Sequence, residues 1–271
     1  MSRSVDLNAD MGESFGPWVM GRDAELLALV TSANIACGAH AGDPDVMART
    51  MAMAAERGVG IGAHPGFADL QGFGRRQMHL NHESLANLIR YQLGAAQAMA
   101  RAAGGRVRHL KLHGALANMC ARDAAMARAC YAGALSVDPD LIITVLATTA
   151  QEEAVRTLGC AWAGEIFADR AYNPDATLLD RSVPGAVIHD PKVAGARIIR
   201  MVKAGTIIPG DGVPVPAMID TICLHGDTPE AVDIARAVRA ALEAEGITLC
   251  PFDGRRGAAR RRGLVCSGDG C

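Results

Sequence analysis

The feature that most constrains the fold of this 271-residue chain is its rhythm, in which short apolar runs take turns with longer amphipathic stretches from end to end. Residues 4–8, 33–37, 59–63, 108–112, 141–146, 161–165, 186–188 and 221–224 read as strands. Residues 23–31, 44–57, 82–103, 123–137, 149–158, 191–203 and 229–245 place apolar side chains at helical spacing, several behind Asp, Thr or Pro starts. Strict alternation of this kind calls for parallel strands joined by right-handed crossovers. Eight candidate strands then close into an α/β, (β/α)8-like, TIM-type barrel occupying residues 1–252 as one domain. Pro184, Gly185 and the Pro/Gly-rich stretch 209–216 interrupt the pattern around the seventh strand, so a distorted or seven-stranded ring is the variant to expect. An open doubly wound sheet is the main alternative. Residues 253–271 form a Gly/Arg-rich tail, with Cys266 and Cys271 but no apolar periodicity, that is expected to be mobile.

Half of the residues are hydrophobic, enough at this length for a substantial core. Lys and Arg number 27 against 29 Asp and Glu, which gives no broad field to attract a nucleic-acid backbone or an anionic membrane and favours a small-molecule partner. No apolar run reaches membrane-spanning length and the start lacks a secretory signal pattern, so a cytoplasmic location is expected. The eight cysteines form no CxxC pair and read as buried free thiols.

Polar residues fall where a parallel barrel opens its mouth, after the strands. His40, His64, His113 and His225 each follow a strand ending. A lone histidine is more often a hydrogen-bonded structural residue, but four at equivalent positions point to function for at least two. Strand alternation puts Asp6, Asn8 and Asp10 on one face, and burying two carboxylates there requires a cation, a metal or a hydrogen-bonding ligand. Glu13 reads equally as a site residue or as a cap or arginine partner. Lys111, two residues before His113, either holds an anionic ligand or balances Asp6 or Asp10. Asp69, Arg75 and Arg76 share a Gly-rich loop, where one arginine is expected to serve the site and the other a structural ion pair. Glu165, Asp169, Arg170 and Arg181 read as a salt-bridge network or as site residues. There is no GxxxxGK[ST] loop, complete GxGxxG fingerprint, HExxH or GxSxG elbow, and Cys37 is a minor candidate nucleophile.

Taken in order, DLNADMGE, SANIACGAHAGDP, GAHPGFADLQGFGRR, KLHGALAN, EIFADRAY and CLHGDTP resemble the motif series of the LamB/YcsF family, the A subunits of ATP-dependent 5-oxoprolinases, over residues 4–250. The chain departs from the usual pattern at Ala9, Leu112 and Ala117, where the family often has Cys, Pro and Tyr. The resemblance implies a barrel related to that of polysaccharide deacetylases. It implies opening of the lactam of 5-oxo-L-proline to L-glutamate with ATP, accompanied by Mg2+, in a complex with subunits B and C; self-association is left open. On this reading Asp10, His64, His113 and Lys111 are catalytic, Asp10 with His64 or His113 activating water. Lys111 and Arg75 or Arg76 hold the substrate carboxylate or the phosphate. Asp6, Asn8 and His225 orient the others or hold the magnesium, and the motifs add Glu13, Asn34, His40, Asp69, Asn118, Glu165, Arg170 and Asp227 as binding residues. No tightly bound metal is expected, although Asp6, Asp10, His64 and His113 are candidates for one. Two rivals remain: a self-sufficient metal-dependent deacetylase or amidohydrolase, and a non-catalytic subunit that binds the lactam for a partner.

Overall fold

The computed structural model describes residues 4–210 and 212–255. Its strands are β1 (Ser4–Met11), β2 (Ser32–Ala36), β3 (Gly60–His64), β4 (Val107–Lys111), β5 (Ile142–Leu146), β6 (Trp162–Phe167), β7 (Thr206–Ile207), β8 (Val215–Pro216), β9 (Thr221–His225) and β10 (Thr248–Leu249). The helices are α1 (Asp23–Leu26), α2 (Pro44–Glu56), α3 (His82–Ala102), α4 (Gly114–Cys120), α5 (Ala124–Leu135), α6 (Ala150–Leu158), α7 (Pro191–Ala204) and α8 (Ala231–Ala244). Local chemistry starts and stops them. Asp43, Asn81, Asp123, Thr149 and Asp190 cap helix N-termini by accepting backbone N–H groups, and Gly159 and Gly205 end α6 and α7 in the left-handed conformation.

Strands β1 to β6 and β9 run parallel, each paired to the next, and β9 returns to β1 to close a seven-stranded ring. β10 adds a short parallel pairing to the start of β1, and β7 and β8 form an antiparallel pair of their own. The ring therefore has seven strands rather than eight. Residues 186–188, expected as a strand, make one isolated bridge between Arg170 and Val187. Two causes are visible: β6 and β9 pair directly, Glu165 against Thr221, and the guanidinium of Arg170 donates to the carbonyls of Leu179 and Ala186, using backbone acceptors a strand would need. The expected helix over 23–31 shrinks to the single turn α1. α4 and the short strands β7, β8 and β10 lie outside the expected set.

The apolar core fills the shell between ring and helices. Leu7, Ala9, Ile35, Ala63, Leu110, Ile143, Ile166 and Ile222 point outward from the strands and, with Met51, Leu93, Tyr131, Ile198 and Val238 from the helices, are fully buried. Ala9 and Leu112 belong to this layer and Ala117 packs against it, so these departures from the family pattern bear on packing. The inside of the ring carries the other half of the alternation and is polar. Of the predicted tail, Arg255 is tied to the barrel: its Nε donates to Asp220 at 2.7 Å and its backbone pairs with Trp162. Residues 256–271, with Cys266 and Cys271, lie outside the described residues. Among the described residues Cys37, Cys120, Cys130 and Cys223 are buried free thiols, and no helix is long and apolar enough to cross a membrane.

Candidate active site

The ring interior is stacked in layers. At the bottom, Asp6 accepts hydrogen bonds from Thr31 Oγ1 at 2.6 Å, Ser32 Oγ at 2.7 Å and Thr221 Oγ1 at 2.5 Å, and burial pushes its carboxyl up to about 6. Asp6 is thus a closed structural node. Register pairs it with Thr221 but pairs Asp10 with His225, four residues or about 13 Å higher, which removes Asp6 from any metal or ligand set at the mouth. Above it, Asn8 Nδ2 donates to Thr221 Oγ1 at 2.6 Å and Glu165 at 3.1 Å, while Asn34 Nδ2 reaches Asn8 Oδ1 at 2.6 Å and Asp10 at 2.9 Å. His109 completes this layer by donating to Asn34 Oδ1 at 2.8 Å. Burial and the nearby cations Arg108 and Lys111 lower its imidazole to about 3.

The mouth layer holds the charges. Lys111 Nζ lies 2.8 Å from Asp10 Oδ1, 3.1 Å from Glu165 Oε1 and 2.8 Å from Cys223 Sγ. Burial opposes charge on Asp10, but His64 and Lys111 outweigh it and hold the carboxyl well below the usual range. Against the same opposition, Asp10 and its neighbours keep Lys111 firmly protonated. Glu165 is pushed upward by burial, only partly offset by Lys111. His64 Nε2 lies 3.4 Å from Asp10 Oδ2 and 3.0 Å from His113 Nδ1. His40 stacks on His113 with centroids 3.6 Å apart, and Glu13 Oε1 stands 3.7 and 3.8 Å from the two rings. Burial and the charges of Asp10 and Asp227 raise Glu13 well above the ordinary carboxyl range.

A second dyad closes the mouth on the β6–β9 side. His225 Nδ1 donates to Asp169 Oδ2 at 2.8 Å, with the imidazole stacked on Phe167. Beside it, Arg75 bridges from the Gly-rich loop to Asp227 at 2.6 Å, with Arg181 3.9 Å from the same carboxylate. Arg76 takes the structural ion pair, its Nε donating to Asp69 at 2.9 Å; Asp69 also accepts from the Gly72 N–H. Arg170 braces the 171–188 segment and Asn118 is exposed on α4, so Asp69, Arg76, Arg170 and Asn118 stay outside the polar network. Burial pushes the Cys37 thiol up to about 12, which ends its candidacy as a nucleophile. A cavity of about 930 Å³ between α2 and α3, lined by Met47, Leu88, Tyr91 and Met99 and edged by the Asp69–Arg76 pair, is not lined by Asp10, Lys111 or the mouth histidines.

His109, Thr221 and Cys223 are network members that the sequence reading did not single out for the site, whereas Asp169, an acid just past a strand end read as a salt-bridge or site residue, joins the network through His225.

A match to the LamB/YcsF family spans residues 5–257. The chain belongs to the LamB/YcsF family. Among its relatives, the A subunit of the 5-oxoprolinase of Ruegeria pomeroyi is 70% identical over 249 residues, covering 92% of this chain and 98% of that one. The A subunit of the Methylococcus capsulatus 5-oxoprolinase is 52% identical over 94% of this chain and 98% of its own length. The crystal structure of the lactam utilization protein of Thermus thermophilus superimposes with a TM-score of 0.86 at 44% identity, covering 92% of this chain and all of that one. The catalytic domain of a peptidoglycan N-acetylglucosamine deacetylase from Eubacterium rectale, at a TM-score of 0.52 and 11% identity over 96% of this chain and 94% of that one, shares the fold of this LamB/YcsF chain.

Proposed function

We propose that this LamB/YcsF chain is the A subunit of an ATP-dependent 5-oxoprolinase, a hydrolase that opens the cyclic amide of 5-oxo-L-proline to L-glutamate. The relatives named as A subunits of 5-oxoprolinase support the reaction, and one observation carries the chemistry: Asp10, ionised between Lys111 and His64, at the mouth of the ring. A five-membered lactam resists attack at neutral pH. Transfer of a phosphoryl group from ATP, which arrives with Mg2+, to the amide oxygen makes the carbon electrophilic. Asp10 orients the attacking water and accepts its proton. All three donors of Lys111 are already committed, so its task is to fix the charge and position of Asp10, and anion capture falls to Arg75. His225, oriented by Asp169, gives a proton to the departing ring nitrogen, and hydrolysis of the acyl phosphate that remains releases inorganic phosphate and leaves L-glutamate. Subunits B and C are the partners of this reading, and the cytoplasm is its compartment.

The test is reconstitution with candidate B and C subunits, following ATP hydrolysis against glutamate release. Asp10→Asn and His113→Ala should abolish glutamate formation while circular dichroism stays native. Full activity in both variants overturns the assignment.

A further inference from the structure

Four side chains from four different strand endings converge beside Asp10. One carboxylate oxygen of Glu13 and one ring nitrogen each of His40, His64 and His113 lie within 4.8 Å of one another, and all four residues are buried. The hydrogen bonds around the cluster give it meaning. His64 Nδ1 faces the carbonyl of Lys111 at 2.8 Å and His113 Nε2 faces that of Phe73 at 2.8 Å. A carbonyl only accepts, so both nitrogens carry their hydrogens. With both imidazoles neutral, the inner nitrogens, His64 Nε2 and His113 Nδ1, point lone pairs at each other across 3.0 Å. Such an approach is repulsive unless a cation is shared between them.

Among the described residues, neither ring nitrogen of His40 has a hydrogen-bond partner, and Glu13 Oε1 has none. The distances from Glu13 Oε1 to His40 and His113, 3.7 and 3.8 Å, are too long for hydrogen bonds. They approach the separation of about 3.4 Å between two ligands of one tetrahedral ion with bonds near 2.1 Å. The outer nitrogens of His64 and His113, anchored on main-chain carbonyls, have the supporting contacts that metal-binding imidazoles use. Two glycines fix the rings: a Cβ on Gly74 would stand 2.7 Å from His40 Cβ and 2.8 Å from His113 Cδ2, and one on Gly66 would stand 2.8 Å from His40 Nδ1.

We infer that Glu13, His40, His64 and His113 bind a divalent transition metal ion of the zinc class. Three imidazoles and one carboxylate form a borderline donor set that suits zinc or cobalt; magnesium and calcium prefer oxygen ligands. This set differs from the sequence-derived candidates by replacing Asp6 and Asp10 with Glu13 and His40, and it reverses the expectation of no tightly held metal. When bound, the ion supplies a Lewis acid and an acidified water next to Asp10. The inference stands on the cluster geometry and does not require the lactam reading.

The experiment uses the full untagged chain, stripped with a chelator and titrated with Zn2+ or Co2+ by calorimetry, with elemental analysis after desalting. Wild type should retain one equivalent. Glu13→Gln and His40→Ala should each weaken binding about 10- to 100-fold and lose the visible absorption of the Co2+ form. His189→Ala, at an exposed histidine beside Glu230, should bind as wild type does. Melting of the metal-free proteins checks folding, and Glu13→Gln, nearly isosteric, keeps the test decisive if His40→Ala unfolds. Retention below about a tenth of an equivalent overturns the site, because a proton shared by His64 and His113 then accounts for their approach. Unchanged affinity in Glu13→Gln, or selective uptake of Mg2+, overturns it too. Glutamate release by the reconstituted complex is measured separately, so failure of the metal site and failure of the lactam reading are distinguishable.

Discussion

The ammonium of Lys111 stands 2.8 Å from the carboxylate of Asp10, with both residues at least nine-tenths buried. Glu165 flanks the same ammonium at 3.1 Å. Lys111→Met should therefore destabilise the fold by about 3–5 kcal/mol, because it leaves two buried carboxylates facing one another without a cation. Urea denaturation at neutral pH measures this, and adding Asp10→Asn to the variant should recover much of the loss. A cost below about 1 kcal/mol would mean that the pair is not what holds this layer together.

Asp6 makes stability depend on pH in the opposite sense to a salt-bridged acid. Its folded value of about 6 lies above the unfolded value of 3.8, so the folded state holds the proton more tightly. Its stabilising contribution is fully present below the unfolded value and is lost as pH rises through about 6. A shift of this size corresponds to at most about 3 kcal/mol. The stability of wild type minus that of Asp6→Asn should fall by up to that amount between pH of about 4 and 7. A difference flat across this window would show that Asp6 does not titrate there.

Asp169→Asn should lower turnover of the reconstituted complex by about 10- to 100-fold with little change in KM, since the amide no longer fixes the tautomer of His225. Steady-state kinetics with 5-oxo-L-proline decides the matter. Wild-type turnover would take the dyad out of the reaction.

Two glycines predict opposite outcomes. A Cβ on Gly62 would stand 2.0 Å from His109 Nε2 inside the ring, whereas one on Gly94, exposed in α3, meets nothing within 4 Å. Gly62→Ala should cost about 1–3 kcal/mol or more. Gly94→Ala should gain about 0.5–1 kcal/mol from helix propensity. Thermal melts of the two proteins, run side by side, compare them directly.

The barrel was legible because each strand announces itself twice, by an apolar run and by the helix that follows. Even the alternation along β1 is readable, with Leu7 and Ala9 facing the helices and Asp6, Asn8 and Asp10 the interior. The segment 186–188 misled because three apolar residues look the same whether they join a ladder or pack under Arg170. Depth along the axis was not legible either. Asp6 and Asp10 share a face and a residue type, yet one is sealed by hydroxyls from Thr31, Ser32 and Thr221 and the other is charged at the mouth. The Asp169–His225 dyad joins residues 56 positions apart, and only the direct pairing of β6 with β9 brings them together. Glu13 read evenly between a cap and a site residue because its neighbours His40 and His113 arrive from other strands.

Lysine has four rotatable bonds, and on most surfaces it sweeps out a volume and adapts to whatever anion approaches. In this ring, Asp10, Glu165 and Cys223 seize its ammonium from three directions while the ring of Phe167 lies 5.1 Å away. The side chain becomes a rigid fixture whose ordering cost was met during folding. A ligand entering the mouth meets a template already set, and selectivity here follows from how well the visitor matches it, with no allowance for the lysine to reach out.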